Sequence, residues 1–261
     1  PFVSTAVFTG ERLPAVEPEF AVDRERHLAA YRFASTQAAG RTVLDVGCGE
    51  GYGAALLAET ARRVLAVDRP EAIRAAAVHY RRPALEFRAL DVLRLGTLDE
   101  RFEVVVSFQV IEHLPDPSAF LAGLAARCAP GGLVIVTTPN RLMSVSENPY
   151  HVREWTAPEL LALALPVLPT GRMLGVVGSE RVLAYERARG EAVARILRLD
   201  PLGLRRLLPA VVVERAFPRL ARLVRRRLGV ARTLPAVTAA DFSVREESLE
   251  RALDLVLVAT R

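Results

Sequence analysis

The sequence predicts a doubly wound α/β domain, on three observations. From residue 41 to about 140, short β-branched runs alternate with longer alanine-rich stretches, the mark of repeated βα units in a parallel sheet. The apolar run Val43 to Val46 enters a loop carrying Gly47, Gly49, Gly51 and Gly53. Acids stand at or just after the first three runs, as Asp45, Asp68 and Asp91.

The elements follow in order. Residues 1–40 read as an N-terminal helical extension, with a helix from about Asp23 to Ala38. Strands are expected at Thr42 to Val46, Val64 to Val67, Leu85 to Ala89, Val104 to Phe108 and Leu133 to Thr137, with helices beginning near Gly51, Glu71 and Pro117. The helix from Pro117 is expected to run to Ala129, where Pro130, Gly131 and Gly132 stop it and turn the chain into the next strand. Asn140 to Trp155 has turn residues and no sustained period, so it reads as a loop beyond a strand's carboxyl end, where open α/β sheets bind ligands. Thr156 and Glu159 have capping-box spacing, and Leu160, Leu161, Leu163 and Ala164 supply the apolar face of the helix they start. Met173 to Val177 and Leu253 to Ala259 are strand-like, with an arginine-rich arm between them.

Composition narrows the chemistry. The 261 residues are 51% apolar and 25% charged, which suits one packed unit with an elaboration and excludes disorder and collagen. The chain has no lysine, so all 35 basic residues are arginine. A Walker A phosphate loop and a pyridoxal phosphate Schiff base each need a lysine and are excluded. Two cysteines, Cys48 and Cys128, make no disulfide framework, and no cationic start leads into an apolar signal core, so a cytoplasmic setting is expected. The longest nearly uncharged stretch, Leu160 to Gly171, is broken by Pro166 and Pro169 and falls short of the roughly 18–20 residues a spanning helix needs.

The net charge of +5 is uneven: 14 arginines and four acids between Arg181 and Arg232 give that arm +10 and leave −5 for the rest. Apolar residues there recur at helical intervals between Val193 and Leu228, which suggests two or three amphipathic helices broken near Pro201, Pro209 and Pro218. The arm reads as a helical lid, with an interfacial contact to an anionic membrane as the sharper alternative. Nucleic acid comes third, since few aromatics are present for base stacking.

The glycine loop satisfies G-x-G-x-x-A at Gly49, Gly51 and Ala54, a dinucleotide pattern. Asp45 and Glu50 in the same loop would repel a pyrophosphate, which counts against a nicotinamide-dependent dehydrogenase and favours a locally cationic ligand. Asp68 stands where an acid accepts hydrogen bonds from both ribose hydroxyls. Three acids around a glycine loop outline a pocket for an unphosphorylated nucleoside with an amino-acid tail, as in S-adenosylmethionine.

These residues resemble class I S-adenosylmethionine-dependent methyltransferases, whose first motif is carried here by Asp45, Gly47, Gly49 and Gly51 over a resemblance spanning about residues 41–140. The resemblance implies that Asp45 and the glycines, with Cys48 between them, hold the methionyl portion. It places Asp68 and Arg69 at the ribose, Asp91 and Val92 at the adenine, and Gln109 along the cleft. His27 and Arg12 would cover the cofactor or bind its carboxylate. The FTGER stretch, the helix bearing Arg26, His27 and Tyr31, and NPYHVREWT look like a bacterial subgroup that includes mycobacterial enzymes methylating sugar hydroxyls in methylmannose polysaccharide. The arginine-rich arm departs from that pattern. The expected fold is a Rossmann-like methyltransferase sheet of seven mostly parallel strands, the last antiparallel by resemblance. The cofactor domain would span 41–180 and 234–261, with an N-terminal cover at 1–40 and a helical insertion at 181–233.

Methyl transfer from a sulfonium is an in-line displacement, and a sugar hydroxyl attacking it benefits from a positioned base or a metal ion. Of four histidines, His151 is the first choice for the base and His113 the second. Glu112 would orient either imidazole or bind the acceptor. Arg153 and Glu154 would contact an acceptor or pair with each other, Trp155 would pack, and His79 would face solvent. Two cysteines and four scattered histidines show no structural-zinc spacing, so no metal ligand is assigned, while a carboxylate-held Mg²⁺ stays open. The leading function is transfer of a methyl group to a small-molecule or saccharide hydroxyl. The alternatives are transfer to nitrogen or carbon of another small metabolite, or a membrane- or nucleic-acid-binding protein with a vestigial cofactor domain.

Overall fold

A computed structural model describes residues 20–144, 148–198, 219–220, 222–224 and 237–261. The strands are β1 (Thr42–Val46), β2 (Arg63–Asp68), β3 (Leu85–Ala89), β4 (Phe102–Phe108), β5 (Cys128–Pro139), β6 (Arg172–Gly178), β7 (Phe242–Arg245) and β8 (Asp254–Thr260). The helices are α1 (Ala21–Ala38), α2 (Tyr52–Leu57), α3 (Pro70–His79), α4 (Pro117–Arg127), α5 (Ala157–Ala164) and α6 (Glu180–Leu197).

One sheet runs in the order β3-β2-β1-β4-β5-β8-β6-β7. The first five strands of that order are parallel, whereas β8 is antiparallel to both β5 and β6, and β7 is antiparallel to β6. The sheet is therefore mixed and has eight strands, which corrects the expectation of seven. The added strand is the four-residue edge β7, where Phe242 and Val244 alone give an apolar alternation too short to read.

Helices cover both faces, which is why the central strands are apolar on both sides. On one face Leu44, Val46, Leu65 and Val67 meet Phe120, Leu121 and Leu124 of α4 and Leu160 of α5. On the other, Val43, Val64 and Ala66 meet Tyr31 and Ala34 of α1, Leu57 of α2, and Val182 and Leu183 of α6. Each such fully buried leucine or phenylalanine contributes roughly 1.5–3 kcal/mol. The start of the arginine-rich arm thus forms α6, part of the second core, while most of the expected 193–228 helices lie outside the described residues.

Caps set the helix starts. The Asp116 side chain accepts from Ala119 N at 2.9 Å with Pro117 in the first turn, and Thr156 and Glu159 form the expected capping box. The end of α4 differs from expectation: it stops at Arg127, and β5 begins at once. Pro130, Gly131 and Gly132 do not turn the chain but form an irregularity within β5, since Phe102 pairs with Cys128 while Val104 pairs with Leu133. Gly131 has φ +73°, and its N–H donates to Arg261 O at 2.9 Å, so neighbouring chain absorbs the extra residues as a bulge.

Because α1 leads into β1 through a short turn and packs along the sheet, its first turns reach the carboxyl edge. The ends of β1, β4 and β5 and the start of antiparallel β8 meet at that edge, with Pro139 opposite Asp254.

Candidate active site

The glycine loop turns sharply after β1 and is tied to β2, with Gly47 N and Cys48 N both donating to Val67 O at 2.8 and 3.2 Å. Gly47 has φ +81°, and a Cβ there would lie 2.3 Å from Val110 Cγ2, so only glycine fits. The Asp68 carboxylate bridges the loop, accepting from Gly49 N at 2.8 Å and from Arg69 N at 2.6 Å. Arg69 itself is exposed, and Cys48 is a buried thiol. Asp91 is exposed and caps the short helix Val92–Thr97 by accepting from Leu93 N at 2.9 Å, with Val92 half-buried beside it.

Asp45 is fully buried, and the Tyr31 hydroxyl of α1 donates toward its two oxygens at 3.3 and 3.2 Å. Burial pushes its pKa up to about 7, with the Tyr31 bond opposing and Asp68 adding to the rise. His27 contacts the Tyr52 hydroxyl through Nδ1 and packs edge-on to Tyr31, Tyr52 and Phe108. Burial, with Arg26 next to it, lowers the His27 pKa to about 3, so the ring is neutral, and its buried Nε2 has no partner among the described residues. Arg12 lies outside the described residues.

Gln109 ends β4 in the left-handed region, φ +58°, with its N–H on Thr137 O at 3.0 Å. The strained turn carries the chain into the short helix Ile111–His113. There Glu112 is 1% exposed and accepts from Thr138 Oγ1 at 3.0 Å. Burial pushes the Glu112 pKa up to about 8, against hydrogen bonds from its own N–H and Thr138, and Asp254 and Glu154 push it the same way.

The loop after β5 closes over this turn. Its base is a bridge between Asn140 and Trp155, and the backbone N–H groups of Val152 and Arg153 donate to Glu112 O at 2.7 and 3.3 Å. These bonds bring His151 to His113, with ring centroids 5.0 Å apart. His113 Nδ1 donates to Tyr150 O at 2.8 Å. His151 Nδ1 donates to Glu154 Oε1 at 2.5 Å, and Asn148 Nδ2 donates to His151 Nε2 at 2.9 Å. Burial works against the Glu154 carboxylate, yet bonds from His151 and Ser144 hold its pKa below the usual range. Glu112, His113 and His151 each offer one ligand atom, all within 4.8 Å of one another, a donor set that could hold a cation.

The three residues expected to do the chemistry therefore stand together. Glu154 engages His151 and Ser144, while the Arg153 guanidinium lies 5.9 Å over the ring of Trp155, which is 1% exposed and packs in the core. His79 is exposed. Tyr52, Asn148 and Asp254 were not singled out from the sequence. Tyr52 was hidden as the helix-start residue of a glycine loop, Asn148 as a turn residue, and Asp254 as the first residue of an apolar strand. Asp254 is 2% exposed, with Oδ2 3.1 Å from Arg26 Nε and Oδ1 unpartnered among the described residues.

A family model described as a methyltransferase domain matches residues 22–166. A probable S-adenosylmethionine-dependent methyltransferase of Mycobacterium tuberculosis is 34% identical over 279 aligned positions, covering 100% of this chain and 93% of its own length. One from Mycolicibacterium smegmatis is 42% identical over 166 positions, covering 61% of this chain and 64% of its own length. A Thermotoga maritima structure described as an S-adenosylmethionine-dependent methyltransferase, possibly for histamine nitrogen, shares the fold at TM-score 0.58 and 13% identity, over 92% of each chain.

Proposed function

The chain belongs to the S-adenosylmethionine-dependent methyltransferases, and from that premise we propose that it methylates a hydroxyl of a small polyhydroxylated acceptor, a saccharide by preference, with His151 as the base. The observation that carries this reading is the bond from His151 Nδ1 to Glu154 Oε1 at 2.5 Å. It keeps the proton on Nδ1 and the lone pair on Nε2, the form a general base needs. A hydroxyl requires such help far more than an amine does, because its proton must leave as the oxygen attacks.

S-adenosylmethionine is the cofactor. Asp45 and the loop Gly47-Cys48-Gly49 face its methionyl portion, Asp68 its ribose and Asp91 with Val92 its adenine, while Gln109 and His27 line the cleft from β4 and α1. The protein's share of the work is to align acceptor oxygen, methyl carbon and sulfur, and to keep water out. As the oxygen–carbon bond forms, the carbon–sulfur bond breaks and the hydroxyl proton passes to His151 Nε2. Glu112 and His113 flank that position, and Asn148 occupies it through its amide until an acceptor arrives.

The segment 181–233 serves as a lid. Arg181 pairs with Asp241, and Arg189 lies 3.5 Å from Asp23 of α1, so these arginines hold α6 to the body. That use favours a lid over a lipid contact. No helix among the described residues is long and apolar enough to cross a membrane.

Transfer of labelled methyl from S-adenosylmethionine into fractionated host extract tests the reading. Label in the saccharide fraction, lost in His151→Ala with cofactor binding intact, is expected. Label confined to protein or RNA, or full activity in His151→Ala, would overturn it.

A further inference from the structure

Two histidine rings at the carboxyl edge are locked in the same tautomer by unrelated partners. A carbonyl and a carboxylate can only accept, so His113 carries its proton on the Nδ1 facing Tyr150 O, and His151 on the Nδ1 facing Glu154 Oε1. In each neutral ring the lone pair is left on Nε2. Metal-ligating histidines show this arrangement, with one ring N–H held by a carbonyl or carboxylate and the other nitrogen turned to the ion.

The third donor is the carboxylate of Glu112, whose Oε1 lies 3.9 Å from His113 Nε2. Its Oε2 is held by Thr138 Oγ1 at 3.0 Å, so both the carboxylate and the rings are oriented by outer partners. The Glu112 side chain is 1% exposed at the base of the cluster, whereas those of His113 and His151 are 23% and 14% exposed and reach the cleft. With the Glu154 carboxylate behind His151, the two imidazoles and the Glu112 carboxyl present the nitrogen and oxygen donors that a divalent cation takes.

We propose that Glu112, His113 and His151 form a binding site for one divalent cation of the class that imidazole and carboxylate share, such as Mn²⁺, Co²⁺ or Zn²⁺. Three protein ligands leave at least one position for a small oxygen ligand, as in catalytic rather than structural sites. An ion about 2.1 Å from each donor needs donors roughly 3.4 Å apart in a tetrahedral site, so the present separations of up to 4.8 Å close by about an ångström or more on binding. The ion also replaces the Asn148 amide at His151 Nε2.

The use of the site, though not its existence, rests on the hydroxyl reading. In the ion-free chain His151 remains the proton acceptor. With the ion bound, its lone pair would be spent on the metal, which would lower the pKa of an acceptor hydroxyl on the open position, so that the acceptor would shed its proton to bulk water on entering, before the site closes. The oxygen–carbon bond then forms as the carbon–sulfur bond breaks.

Titration of the full chain with MnCl₂ and with ZnCl₂ by calorimetry, with cofactor and acceptor both absent, tests the site. One ion per chain is expected. Glu112→Gln, His113→Ala and His151→Ala should each weaken binding at least about tenfold, and Glu154→Gln, which releases only the ring, about tenfold. S-adenosylmethionine binding in the same variants reports that they are folded, and His151→Ala, in a loop, is the variant on which the result turns. No ion bound by the wild-type chain, or equal affinity in wild type and folded His151→Ala, overturns the site. The two proposals fail separately: an ion bound without transfer to any hydroxyl sinks the hydroxyl reading alone, and undiminished hydroxyl transfer with no ion bound sinks the metal site alone.

Discussion

Glu154 Oε1 accepts the Nδ1–H of His151 at 2.5 Å, and the same carboxylate also receives the Ser144 hydroxyl. The histidine is therefore held in one tautomer and one orientation by a residue three positions away. Glu154→Gln should lower kcat about 10- to 100-fold while leaving S-adenosylmethionine affinity unchanged, because the variant disturbs the orientation of a base without touching the glycine loop. Steady-state kinetics beside cofactor calorimetry checks this, and an unaltered kcat would remove Glu154 from the mechanism.

Asp45 gives a pH dependence whose sign is set by its burial. Its folded pKa of about 7 lies above the usual carboxylate value, so the folded chain holds a proton that the unfolded chain has lost. Stability in the absence of cofactor should fall as pH rises from about 4 to about 7, by roughly 1.4 kcal/mol per unit at most, and level off above that range. Asp45→Asn should flatten this fall, be more stable than wild type at pH 8, and bind S-adenosylmethionine poorly. Urea unfolding at pH 5 and pH 8 measures the difference, and parallel behaviour of the two proteins would refute the assignment.

Asp68 has two tasks, a ribose contact by proposal and a brace for the loop through Gly49 N and Arg69 N. Asp68→Ala removes both and should abolish cofactor binding by calorimetry. Asp68→Asn keeps one acceptor oxygen and should bind at intermediate affinity. Wild-type affinity in Asp68→Ala would take the residue out of the site.

Gly47→Ala should destabilise the fold by about 1–3 kcal/mol, from left-handed backbone strain together with overlap against Val110 Cγ2. Adding Val110→Ala should recover only part of the loss, since the φ of +81° remains. Thermal melts of the single and double variants separate the two contributions. Complete recovery would mean that the overlap alone mattered.

Much of the glycine loop and its flanking elements was legible because their signals are local. A run of glycines directly after an apolar strand, an acid at a strand end and a capping box at Thr156 and Glu159 are each written within a few residues. Pro130-Gly131-Gly132 shows where local reading misleads. The same residues that end a helix also suit a bulge, and the choice was made by the pairing of β5 with β4 and by Arg261.

The sequence by itself determined the alternation of strands and helices and the glycine loop with its three acids, and it proposed the histidines and Glu112 for the chemistry. Tertiary structure alone decided that the edge strand β7 joins the sheet, that Tyr31 reaches Asp45, and that Glu154 rather than Glu112 orients His151. The physical reason is range. Strand patterns, caps and glycine turns depend on φ, ψ and side-chain alternation over a few residues, and these are encoded where they act. The meeting of His113 with His151 depends on Glu112 O accepting the backbone N–H groups of Val152 and Arg153, a contact between two loops that no spacing in the chain records.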